Sequence, residues 1–300
     1  FDITAPAELV SLGHAWRAGF GGRLAWVAAS TRDGEEMHLL EAFRRLHAGV
    51  KGGLQGDPKG GVQGDVKDDA LDRHAARRAG GADDGTMRAM GGQATSETDS
   101  RGDRPTDYGM GSDAGRDSVS DSSGLGGSGG ENALLFLVPR HPQRFDEIAA
   151  LLERSGISYA RRSSWVEDER GVPQLPPRIE VVLGDSMGEM AAYYAAADLA
   201  FIGGSLLPLG GQNLIEACAI GTPVLVGPHT FNFTQATADA LAAGAALRVA
   251  DATELADQVR ELLHDRARRT AMSGAAAAFA ARHRGATART VDVLVALLPR

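Results

Sequence analysis

The residues of this sequence best suited to chemistry stand between Asp198 and Phe233, where glycines, amides and one acid recur at short spacing. Gly203-Gly204-Ser205 follows the apolar run Leu199 to Ile202, and Gly210-Gly211 precedes Gln212-Asn213. Leu214, Ile215, Ala217 and Cys218 then open a helix that Gly221-Thr222-Pro223 stops. Glycine pairs let a backbone turn sharply and let a ligand come close. A helix start offers unpaired N–H groups and the positive end of the helix dipole, so the segment Gly211 to Asn213 is suited to a phosphate. Glu216, one turn in, would repel phosphate and instead suits sugar hydroxyls, as an acid does for ribose in dinucleotide folds. Glycine turn, helix start and acid together fit a ribonucleotide, and an ordinary β-α-β unit with glycine-rich turns fits the same pattern.

Three other segments place polar groups just past apolar runs, where open α/β sheets hold ligands. Ser30-Thr31 follows Leu24 to Ala29, although Ser30, Thr31 or Asp33 is equally suited to cap the next helix. Arg140 follows Ala133 to Val138, where a guanidinium reaches a phosphate or a base edge, or pairs with a surface acid. His141, preceding a proline, is biased to extended backbone. Gly184 to Met190 follows Ile179 to Leu183; there Asp185 or Ser186 is the expected N-cap and Glu189 the third-position partner of a capping box. No nucleophile with its base, no pair of carboxylates in one loop and no metal-ligand spacing stands out, so no catalytic residue, metal or cofactor is assigned.

These segments need a scaffold. Short apolar runs alternate with amphipathic stretches: Pro6 to Phe20, the segment through Leu39 to Leu46, Ile148 to Leu152, a helix through Tyr194, Thr234 or Gln235 to Ala242, and Thr253 to Leu263 with Thr253 as cap. Ile157 to Ala160 and Ala246 to Val249 add strands, residues 165–177 form a loop, and residues 266–298 an Ala/Arg-rich helix interrupted near Gly285. The alternation predicts an α/β domain with a parallel sheet and helices on both faces. Between Val50 and Gly130 the character changes. The stretch lacks Phe, Trp, Ile and Cys and carries about half of the 39 glycines, a composition that cannot offset chain entropy by burial and predicts disorder. We therefore read residues 1–49 and 132–300 as one domain and 50–131 as an inserted segment.

Composition narrows the function. A net charge of −8 argues against a nucleic-acid partner. The single Cys218 excludes an internal disulfide and, on an apolar helix side, reads as packing. No run approaches the length of a membrane span. The chain starts at Phe1 without methionine, and Phe1-Asp2-Ile3 looks like the end of a strand already under way, so a fragment is expected.

The motifs, in order, resemble the C-terminal domain of 3-deoxy-D-manno-octulosonic acid (Kdo) transferases. The resemblance rests on Ala28-Ala29-Ser30-Thr31 with Gly34-Glu35-Glu36, Pro139-Arg140-His141-Pro142 with Arg144-Phe145, Gly184-Asp185 with Met187-Gly188-Glu189, Gly203 to Leu206, Gly210 to Asn213 with Glu216, and Gly227 to Phe233. It departs at Gln212, where the family usually has His. The resemblance implies one half of a two-domain GT-B glycosyltransferase: a Rossmann-like domain binding the donor CMP-Kdo, with transfer to a lipid A precursor at the cytoplasmic face of the bacterial inner membrane. It further implies that Pro139, Arg140, Met187, Gly188 and Glu189 contact CMP, beside Ser30, Gly211, Asn213, Leu214, Ile215 and Glu216. The family's general base is a Glu of the N-terminal domain, which also carries the acceptor site and the membrane-facing surface and is absent here. Two other readings share the pattern: another GT-B protein such as a UDP-sugar epimerase, and a non-catalytic nucleotide-binding module.

Overall fold

The computed structural model describes residues 4–48, 132–170 and 172–285, together with Thr290, Val291, Val293, Leu294 and Leu297. The segment 50–131, the residues Phe1-Asp2-Ile3 and part of the segment after Gly285 lie outside the described residues. Seven parallel strands form one sheet in the order β3-β4-β2-β1-β5-β6-β7. They are β1 (Ala25–Thr31), β2 (Leu134–Pro139), β3 (Tyr159–Arg161), β4 (Val181–Leu183), β5 (Leu199–Ile202), β6 (Val224–Val226) and β7 (Ala246–Arg248). Eight α-helices accompany them among the described residues: α1 (Ala7–Ala18), α2 (Glu35–Ala48), α3 (Phe145–Arg154), α4 (Met190–Ala196), α5 (Ile215–Ile220), α6 (Thr234–Ala242), α7 (Ala252–His264) and α8 (Arg266–His283).

Burial on both faces explains why the strands are apolar without alternation. Along β1, Ala25, Val27 and Ala29 join a core with Trp16 of α1, Phe20 just after it, Phe136, Tyr193 of α4 and Phe279 of α8. Trp26 and Ala28 point the other way, into a core with Leu39, Leu40 and Phe43 of α2, Ile148 and Leu152 of α3, and Leu255 and Val259 of α7. Cys218 is fully buried in the first core, and burial pushes its thiol up to about 12, which fits packing rather than reactivity. One reading of the helix ends is corrected here. Asp251, not Thr253, caps α7; its carboxylate accepts the N–H groups of Thr253 and Glu254 at 2.8 and 3.0 Å.

The chain runs from β1 to β2 on one side, fills β3 and β4, and returns to β5 on the other side of β1. The order therefore reverses between β1 and β5, and the loops at their carboxyl ends frame the crevice where such sheets hold ligands.

Candidate functional site

The end of β1 is bent into that crevice. Ser30 has φ +56°, alone among the described non-glycine residues in being positive, and the register with β2 slips between Ala29 and Thr31. A side chain in the left-handed region costs roughly 1–2 kcal/mol and persists where its surroundings enforce it. The close neighbour is Gly203 at the end of β5, where a Cβ would lie 2.6 Å from the Ser30 carbonyl oxygen. Glycine at 203 is what permits the two strand ends to meet.

Beyond Gly203 the chain turns under the grip of Glu35, the first residue of α2. Glu35 is fully buried, and its Oε1 accepts the N–H groups of Ser205 and Leu206, both at 3.0 Å. Its Oε2 accepts those of Gly204 at 2.6 Å and Arg32 at 3.3 Å. Burial pushes its carboxyl up, against the pull of these four N–H groups. The turn at Gly203-Gly204-Ser205, read from sequence as a place for a ligand to approach, thus spends the donors of Gly204 and Ser205 on the protein's own carboxylate and that of Gly203 on the Ala29 carbonyl. Ser30, Thr31 and Asp33 do not cap α2 either. Thr31 Oγ1 donates to Glu36 Oε1 at 2.8 Å, and Asp33 lies 3.2 Å from Arg144.

The next segment is held from both sides. Gly211 N–H donates to the Gly204 carbonyl at 2.7 Å, and Asn232 N–H donates to that of Gly210 at 3.0 Å. Gly210 and Gly211 have φ +90° and +74°, which no helix admits, so α5 starts at Ile215 and not at Gly211 to Asn213 as the sequence suggested. Asn213 Oδ1 accepts the Ile215 N–H at 3.1 Å, and its Nδ2 donates to Glu216 Oε1 at 3.2 Å. The backbone N–H groups of Gln212, Asn213 and Leu214 have no acceptor among the described residues. Leu214 and Ile215 are each 1% exposed, with side chains in the core, so they face the crevice through backbone alone. Glu216 is exposed.

Pro139 closes β2 opposite Thr31, and Arg140 N–H donates to the Thr31 carbonyl at 3.1 Å. The Arg140 side chain is exposed and its guanidinium has no partner among the described residues. His141 is extended, at φ −114° and ψ 122°, as its place before a proline predicts.

The loop after β4 departs from its sequence reading. Gly188 has φ +81°, which breaks the helical path, so α4 starts at Met190 and neither Asp185 nor Ser186 caps it. Asp185 accepts the N–H and Oγ–H of Ser163 at 2.8 and 2.7 Å. Glu189 makes no capping bond. Its carboxylate accepts Arg162 Nη2 at 3.0 Å and the Ser186 hydroxyl, and Ser186 Oγ lies 2.8 Å from the Tyr193 hydroxyl. Arg162 stands over Trp16 and Trp165, 4.6 and 5.1 Å from the ring centroids. Glu189 is therefore committed to the fold, while Met187 at 65% exposure and exposed Gly188 present themselves to the crevice side of the sheet.

All eleven candidate residues thus stand at the carboxyl edge, in the last strand residues (Ser30 and Pro139), the loops or the first helical residues. The sequence reading missed Glu35 and Arg162, whose long-range partners leave no local signature, and it did not single out Phe231, a 62% exposed aromatic on the loop after β6. A cavity of about 660 Å³ opens at the opposite edge, between α1 and α8, and holds none of these residues. Two of its cations serve helix ends: Arg17 donates to the Ala196 carbonyl and pairs with Asp198, and Arg269 donates to the carbonyls of Leu262 and Leu263. Among the described residues no cluster of three metal-ligating side chains forms, and no helix is long and apolar enough to cross a membrane.

Comparison with known proteins gives this geometry a context. Residues 172–279 match the family model described as glycosyl transferases group 1. Over 294 residues the chain is 42% identical to the 3-deoxy-D-manno-octulosonic acid transferase of Bordetella pertussis, spanning 98% of this chain and 49% of that one. It is 39% identical over 173 residues to the protein of the same name from Haemophilus influenzae, 56% of this chain and 38% of that one. The chain thus spans about half, or less, of the length of these relatives. Its fold is similar to the C-terminal CMP-Kdo binding domain of WaaA from Acinetobacter baumannii, with a TM-score of 0.58 at 20% identity over 91% of this chain and 98% of that one.

Proposed function

We propose that this chain is the donor-binding half of a Kdo transferase, a glycosyltransferase that moves Kdo from CMP-Kdo to a lipid A precursor. The observation that carries the reading is the 42% identity to a Kdo transferase, sustained over 98% of the chain. In support, the residues expected to meet CMP converge on one crevice. The free N–H groups of Gln212, Asn213 and Leu214 would receive the phosphate, with exposed Arg140 as the charge that meets it. Exposed Glu216 would accept the ribose hydroxyls, steered by Asn213 Nδ2. Met187 and Gly188 would border the base, while Glu189 fixes their loop through Arg162 and Ser186.

In the transfer, the bond between the anomeric carbon of Kdo and the phosphate oxygen breaks, and charge develops on the departing CMP. Backbone donors fixed before the reaction stabilise that charge without reorganising. The acceptor hydroxyl must lose a proton; we place the general base for it, the lipid A site and the contact with the inner membrane surface in the half of the longer relatives that this chain does not match.

Calorimetric titration of the chain with CMP, with UMP as control, tests the reading. The expected result is CMP binding at least tenfold tighter than UMP, weakened at least tenfold by Glu216→Ala. Equal affinity for both nucleotides, or none for either in a folded sample, would sink it.

A further inference from the structure

We infer that Glu35 is a positioning residue for the nucleotide crevice: its carboxylate fills, from within the protein, the N–H cradle at the end of β5 and so fixes the segment that meets the ligand. Three successive N–H groups, from Gly204, Ser205 and Leu206, converge on its two oxygens at 2.6 to 3.0 Å. Such convergence of backbone donors is an anion site, and here the anion is a side chain from a different element, 169 to 171 residues earlier in the chain. No ion pair joins Glu35 among the described residues; backbone donors, these three and the Arg32 N–H at 3.3 Å, are what hold its carboxylate.

The cradle is coupled to the segment with free donors and to the loop after β6. The Gly204 carbonyl accepts the Gly211 N–H at 2.7 Å, which sets the start of the segment with free donors. A Cβ at Gly204 would stand 3.3 Å from Gln212 Nε2, so the two strands of this loop lie in contact. Ser205 Oγ accepts the Gly227 N–H at 2.8 Å, and the Ser205 carbonyl accepts that of His229 at 2.9 Å, which ties in the loop carrying Phe231 and Asn232. Glu35 itself is wholly buried and cannot meet a ligand. Its neighbour Glu36, also buried, is engaged elsewhere, with Arg144 at 2.6 Å and Thr31 at 2.8 Å. The adjacent acids thus anchor two different loops of the crevice, after β5 and after β2.

Glu35→Gln is the informative change. It keeps size and one acceptor oxygen, but its NH₂ must face either the Gly204 and Arg32 donors or the Ser205 and Leu206 donors, so one pair loses its acceptor. Backbone amide exchange is measured without ligand, and CMP affinity by titration at a temperature where the variant is folded. We expect exchange to quicken at least tenfold at Gly204, Ser205, Leu206 and Gly211, whose N–H groups are bonded in the unaltered chain, while β2 and β4 stay protected, and CMP affinity to fall at least tenfold. Glu35→Asp, which keeps the charge with a shorter reach, should fall between. Unchanged exchange at those four amides, or an affinity within twofold of the unaltered chain despite a lower melting temperature, would make Glu35 a general stabiliser and overturn the inference. The affinity arm rests on the nucleotide reading above; if the unaltered chain does not bind CMP, that reading fails and the exchange arm still decides the role of Glu35. Should both variants fail to fold, the unaltered chain decides: amides of Gly204, Ser205 and Leu206 exchanging as slowly as those of β5 support the cradle, and exchange at the rate of exposed loops overturns it.

Discussion

Arg140 and Arg144 stand four residues apart, and the fold gives them opposite tasks. The Arg144 side chain is 11% exposed, donating to Glu36 at 2.6 Å and to Glu147 at 3.2 Å. Burial works against its charge and these hydrogen bonds outweigh it, so its pKa is raised. Removing it by Arg144→Ala leaves Glu36 buried without its cation, a cost of about 3–5 kcal/mol, or roughly 10 °C in melting temperature for a domain of this size. Arg140 has no such partner, so Arg140→Ala should move stability by no more than about 0.5 kcal/mol. If it meets phosphate as proposed, losing a charge-assisted hydrogen bond worth about 1.5–3 kcal/mol weakens CMP roughly tenfold to a hundredfold. Thermal melts and titration on the pair check both halves at once. A stable Arg140→Ala that binds CMP normally would remove Arg140 from the site. From sequence, a salt-bridge role was equally open to Arg140; only the structure shows which of the two arginines has found acids.

At the scale of elements, the strands, their parallel order and the carboxyl-edge placement of all candidate residues were legible, because two-sided burial writes itself into apolar runs such as Leu134 to Val138. The helix starts were not. Ser, Thr and Asp side chains next to a helix invite a capping assignment, but long-range partners competed for them: Glu36 took Thr31, Ser163 took Asp185, and Arg162 with Ser186 took Glu189. The glycines told where the chain bends without telling that Gly210 and Gly211 would delay α5 to Ile215. Two substitutions separate a local cap from a site-building turn. Asp251→Ala removes an N-cap and should cost about 1 kcal/mol with CMP affinity unchanged. Gly203→Ala forces a Cβ against the backbone of Ser30 and Thr31, at 2.6 and 2.7 Å. It should cost about 1–3 kcal/mol, and it should weaken CMP as well because β1 and β5 meet at the crevice. Urea denaturation and titration of the two variants read the contrast; equal loss of affinity in both would show that the β1–β5 meeting point has no special place in binding.

At the scale of the whole molecule, the domain is interrupted where interruption costs its chemistry least. Helix α2 ends at Ala48 and β2 starts at Leu134, and these are the last and first elements of one β1-α2-β2 crossover, at the edge of the sheet away from the crevice. Connections of this kind are ordinarily two to six residues long. Residues 50–131 are rich in Gly, Asp and Ser. Closing a loop costs entropy that grows as the logarithm of its length, so a linker of about ten residues in its place, roughly eightfold shorter, should stabilise the domain by about 2 kcal/mol. That corresponds to a rise of roughly 4–8 °C in melting temperature. The CMP affinity should be unchanged, since every proposed contact is made by residues outside the segment. A shortened chain that melts higher and binds as before would make the segment a tolerated insertion. A loss of CMP affinity with the fold intact would instead mean that residues 50–131 reach the crevice and take part in what it does.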